Sequence, residues 1–187
     1  MKTLLILTVM LVISAGTALA QNWQEITVDG FTLRWATIVG NNLAVELSAP
    51  TTGWVSVGFD PTQQMLNANI IIGYVDGTTT VLRDDFGWQN TSHKADTVLG
   101  GTTDVTVDGG SETSGTTQIE FTIPLDSGDS YDRPLMIGST YPVIFARGAN
   151  GEDNFSSPHV FTSSSTIDLI ELDFEPYTWT SVKASDW

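Results

Sequence analysis

Apolar residues recur at every second position through most of this chain, the period of a half-buried β-strand. Phe31, Leu33 and Trp35 alternate with polar neighbours, and Thr37 keeps the phase as far as Val39. Leu43, Val45 and Leu47 repeat the pattern, and Ile119, Phe121 and Ile123 give it again. Turn dipeptides punctuate these runs: Asp29-Gly30, Gly40-Asn41 and Asp76-Gly77. Further strands are predicted over Trp23–Val28, Thr79–Phe86, Thr103–Val107, Tyr141–Arg147, His159–Thr162 and Ile167–Phe174. Asp84–Gly101, which holds Trp88, His93 and Lys94, is too irregular for a strand and reads mostly as a long loop. Gly148–Pro158 reads as a polar loop. Roughly ten short strands with turns every 8–12 residues predict an all-β antiparallel sandwich.

One stretch departs from the alternation. Gly53–Asp76 reads GWVSVGFDPTQQMLNANIIIGYVD. Trp54, Val55, Val57 and Phe59 make one strand, and Asn69–Val75 make another. The unbroken Ile70-Ile71-Ile72 marks the second as a buried strand. Between them lies a polar turn, Asp60–Gln64, and then Met65. A methionine there can fill the core, or it can present its thioether sulfur to a soft or borderline metal.

The first 20 residues have the marks of a secretory signal peptide. Lys2 gives a positive start, Leu4–Ile13 is apolar apart from Thr8, and Ala18-Leu19-Ala20 is a cleavage signal. The expected mature chain, from about Gln21, is secreted or periplasmic and is one domain of about 167 residues (187 less 20) with no membrane span. The chain carries 22 acidic and 7 basic residues, a net charge of −15. That charge argues against nucleic acid and anionic membranes as partners and suits a basic protein partner. The oligomeric state is left open.

Cysteine is absent, which excludes thiolate metal sites, iron–sulfur clusters and covalent haem attachment. The GxSxG, P-loop, HExxH and EF-hand patterns are also absent. His93 and His159 are the only histidines. A structural zinc site normally takes four ligands, whereas haem iron takes two axial ones, for which methionine with histidine is a known pairing. Loops such as DSGDSYD and GANGEDN have the oxygen chemistry of calcium ligands but lack EF-hand spacing, and read as solvated acidic loops.

The segment GWVSVGF…PTQQMLNANIIIGYVDG, with the later TTQIEFTIPL, YPVIFARG and a polar loop ending in histidine, resembles the DOMON family over roughly Trp23–Leu172. The cytochrome domain of fungal cellobiose dehydrogenase is a member. The resemblance implies an immunoglobulin-like β-sandwich. It also implies non-covalent haem b held by Met65 and His159, the positions that match the family's axial ligands. His93 stands as an alternative ligand. Arg147 can pair with a haem propionate or with a loop carboxylate. Tyr74, Phe59 and Trp88 can line a pocket or simply fill the core. The function implied is one-electron transfer with a separate redox partner protein rather than catalysis. The alternative is a haem-free module binding a carbohydrate or other small ligand, since not all members bind haem.

Overall fold

The computed structural model describes residues 23–170. The expected signal peptide, Leu172 and the end of the last expected strand lie outside them.

Among the described residues, eleven strands and one short helix follow one another: β1 (Gln24–Val28), β2 (Phe31–Ile38), β3 (Asn42–Ala49), β4 (Val55–Phe59), β5 (Asn69–Asp76), β6 (Thr79–Gln89), β7 (Ser92–Ala95), α1 (Asp96–Leu99), β8 (Thr106–Thr113), β9 (Thr116–Pro124), β10 (Thr140–Arg147) and β11 (Phe161–Asp168). They form two antiparallel sheets, ordered β1-β2-β3-β9-β8 and β11-β10-β4-β5-β6-β7. The fold is the all-β sandwich that the alternation predicts, with eleven strands where about ten are expected.

Turn chemistry sets the register. Val28 pairs with Phe31 across Asp29 (φ 49°) and Gly30 (φ 88°). Positive φ at both central residues gives the hairpin twist that matches the strands, and glycine adopts it without a steric cost. With that register fixed, Phe31, Leu33 and Trp35 point inward. They meet Leu43, Val45 and Leu47 of β3 and Ile119, Phe121 and Ile123 of β9 in one buried cluster. The second sheet contributes Val55, Val57, Phe59, Ile71, Val143 and Phe145. With no disulfide to help, this core carries the stability of the domain.

The expected long loop over Asp84–Gly101 is instead structured. β6 continues to Gln89 and turns into β7, where His93 and Lys94 sit. A bulge between Phe86 and Gln89 breaks the period of two there. That break, together with the polar composition, hides the strand from an alternation pattern.

Candidate functional site

Strand alternation puts the odd residues of β4 and β5 in the core and the even ones on the opposite face of the six-stranded sheet. The register aligns Ser164, Ile144, Gly58, Ile70 and Asp85 in one row across that face, and Thr162, Ala146, Ser56, Ile72 and Arg83 in the next. In a simple sandwich this face is wet. Here Ser56, Ile70 and Ile72 are buried. The isoleucine run is therefore covered on both sides.

A cavity of about 550 Å³ opens on this face, a size suited to a small molecule or cofactor. Ile70, Ile144 and Gly58 are among its lining residues, together with Trp54, Met65, His93 and His159. A β-carbon on Gly58 would lie 2.8 Å from Ile144 Cγ1, so glycine is what lets the isoleucines close together there. The Trp54 indole nitrogen is buried and has no hydrogen-bond partner.

Met65 is brought to the cavity by a tight loop. Gln64 and Asn67 have left-handed backbone (φ 52° and 64°). The Met65 N–H donates to the Asn90 carbonyl (3.2 Å), and its carbonyl accepts from the Ala68 N–H (3.1 Å). The Asn67 N–H donates to Gly87 (2.6 Å), and the Gly87 N–H donates to Ala68 (2.9 Å). The loop is thus tied down onto the end of β6.

His159 is exposed and follows the Gly148–Pro158 loop. The Val160 N–H donates to the Arg147 carbonyl (2.9 Å), which fixes where the chain re-enters the sheet. Within the loop, the Asn154 side-chain oxygen accepts the N–H groups of Ser156 and Ser157, both at 2.9 Å. Phe155 packs on Tyr74 with ring centroids 5.1 Å apart, and the Arg83 guanidinium lies 4.6 Å from the Phe155 ring centroid.

His93 also lines the cavity. Its Nδ1 pairs with Asp85, a fully buried carboxylate that Arg83 grips through Nε (2.5 Å) and a terminal nitrogen (2.6 Å). Burial pushes the Asp85 carboxyl up. The bonds and charges of His93 and Arg83 more than offset this and hold it below the usual aspartate range.

Of the residues singled out from sequence, Met65, His159 and His93 therefore share one cavity. Tyr74 and Arg147 are not among its lining residues. Tyr74 packs against Phe155, while the Arg147 guanidinium lies 5.3 Å from the Phe161 ring centroid and makes no salt bridge among the described residues. Phe59 is in the core, and Trp88 lies on the surface with the Lys94 ammonium 4.1 Å from its ring centroid. Besides Phe145, the lining aromatic is Trp54. Its even position, out of phase with Val55, Val57 and Phe59, is the signal that could have placed it on this face.

A family model described as DOMON domain matches residues 28–148. The chain belongs to the DOMON family. Two solved structures share the fold seen here. The cytochrome b domain of pyranose dehydrogenase from Coprinopsis cinerea is 16% identical with a TM-score of 0.53, covering 74% of this chain and 76% of that one. The cytochrome domain of Myriococcum thermophilum cellobiose dehydrogenase is 12% identical with a TM-score of 0.55, covering 80% and 82%. At these identities the likeness is one of fold. The human DBH-like monooxygenase protein 1 is 35% identical over 107 residues, 57% of this chain but 17% of that protein. Met65 lies inside the matched DOMON segment, whereas His159 lies beyond it.

Proposed function

We propose that this DOMON domain is an exported b-type cytochrome module: it holds one non-covalent haem b between Met65 and His159 and passes single electrons to and from a separate protein. The observation that carries this reading is that Met65 and His159, far apart in sequence, line the same cavity. The donor set fits the group. A thioether and an imidazole suit haem iron, and Trp54, Gly58, Ile70, Ile144 and Phe145 offer apolar surface to a macrocycle beside the polar lining of Ser56, Gln64, Asn90 and Thr162. When bound there, haem b would supply a one-electron couple.

The chain's own residues would do the rest. Ile70 and Ile144 exclude water from the cavity floor, which tunes the potential through a low local dielectric. Met65 and His159 would both be committed to holding the haem iron, which would leave no coordination position for a substrate. That favours electron transfer over catalysis. The acidic excess of the chain steers a basic redox partner, more strongly at low salt.

One observation favours a second assignment within the same reading. The Asp85–His93 pair is the arrangement that orients metal-ligating imidazoles, and it leaves Nε2 of His93 free. His93 would then replace one of the other two ligands.

Titration of the haem-free protein with hemin tests the proposal. The expected result is one saturable site, with Met65→Ala and His159→Ala each weakening it at least about ten-fold, the loss of about 1.4 kcal/mol. A wild-type protein that takes up no hemin would sink the reading and turn attention to a small-ligand module.

A further inference from the structure

On the core side of the same strand lies a second concentration of charge. Asp84 of β6 alternates with Asp85, so its carboxylate faces away from the cavity. One oxygen from each of Asp84, Asp104 and Asp132 lies within 4.8 Å of the others. These come from β6, from the segment between α1 and β8, and from the loop between β9 and β10. Asp132 ends DSGDSYD, which from sequence reads as a solvated acidic loop. The structure turns it inward, and the Asp129 carboxylate ties that loop to the backbone N–H of Thr102 (2.5 Å).

The cluster is short of partners. Asp84 is 2% exposed, and its Oδ1 has no hydrogen-bond partner; its Oδ2 accepts the Asp104 N–H, at 2.8 Å. Asp132 Oδ1 is buried and unpartnered, while its Oδ2 accepts from Ser127 (2.6 Å). Asp96, at the start of α1, is fully buried with both carboxylate oxygens unpartnered. No salt bridge among the described residues reaches any of the four. Burial, together with mutual repulsion, pushes the carboxyl of Asp84 to about 7, Asp96 to about 8 and Asp132 to about 6. Buried carboxylates left this way cost several kcal/mol unless a cation or protons neutralise them.

We propose that Asp84, Asp104 and Asp132, with Asp96 beside them, form a calcium site that locks β6, α1 and the β9–β10 loop together. The donors are all oxygen, with no histidine or cysteine, which selects a hard cation. Two oxygens each about 2.4 Å from one calcium ion lie at most about 4.8 Å apart, so one ion can reach an oxygen of all three residues. The carboxylates supply part of the coordination, and water or backbone carbonyls complete it. The site is independent of the haem reading, because its residues do not line the cavity.

Calorimetric titration of the chelator-treated, full mature protein with calcium chloride tests it, alongside thermal melts at constant ionic strength. The expected result is one saturable site, with the melting temperature rising by about 5–10 °C once calcium exceeds its Kd a hundred-fold. Asp104→Asn, at a half-buried position that tolerates the change, should lose at least ten-fold in affinity together with most of the shift. Asp84→Asn should melt higher than the wild type without calcium, since a repelling charge is gone, and should gain little from calcium. Glu112→Gln, an exposed acid outside the cluster, should behave as wild type. Absence of saturable binding, or an undiminished calcium shift in Asp104→Asn, would overturn the proposal.

Discussion

Gly87 and Met65 meet backbone to backbone: a β-carbon on Gly87 would overlap the Met65 carbonyl oxygen. The same contact carries the hydrogen bonds that hold the Met65 loop on β6. Gly87→Ala must therefore push the loop away from the strand. A loss of about 1–3 kcal/mol in urea denaturation is expected, as for other overpacked sites. If Met65 is a ligand, hemin affinity falls in the same variant, although residue 87 does not line the cavity. An unchanged affinity would separate the loop's position from haem binding.

Asp85 is fully buried and bonded to both Arg83 and His93. Asp85→Asn keeps the shape and removes the charge, leaving Arg83 without its ionic partner. We expect a cost of about 2–4 kcal/mol in chemical denaturation, discounted because Arg83 is about one-third exposed. Arg83 also stacks over Phe155 of the loop that precedes His159. Hydrogen exchange in the Gly148–Pro158 loop should accelerate in this variant. Exchange that stays as in the wild type would show that the loop is held without Arg83.

The same loop gives a pH prediction. Glu152 accepts from the Ser157 hydroxyl and from Asn154 Nδ2 (3.0 Å), and these bonds hold its carboxyl below the ordinary 4.5. A lowered carboxyl pKa stabilises the folded loop fully above the ordinary value, and that contribution is lost as pH falls through the folded value. NMR titration of the Glu152 side chain should show the depressed value in wild type and a return toward 4.5 in Ser157→Ala. A titration that does not move in that variant would rule out the Ser157 bond as the cause.

Much of the sandwich was legible because period-two alternation and turn dipeptides act locally. Phe31–Trp35 and Ile119–Ile123 each report their own face, and Asp29-Gly30 reports its own turn. The run Ile70–Ile72 marked a buried strand, but its covering on the second face became visible only in the fold. The β7 strand was not legible. Its pairing depends on a bulge after Phe86, and His93 therefore read as part of a long loop. The acidic cluster was invisible for a different reason. Its carboxylates come from four separate segments, and no local pattern predicts that they meet. One hint was available: Asp84-Asp85, set within a strand, sends one carboxylate to each face, so one of them faces the core side. Met65 and His159 stood out through family resemblance, while Trp54 joined them only in the fold.

Haem held by Met65 and His159 has a distinct optical spectrum, read from the haem-loaded protein when oxidised and then reduced with dithionite. A sharp Soret band with resolved α and β bands on reduction is expected in the wild type. These should give way to a high-spin form in Met65→Ala and His159→Ala and be retained in His93→Ala. A low-spin spectrum that survives both Met65→Ala and His159→Ala would show that neither residue holds the iron.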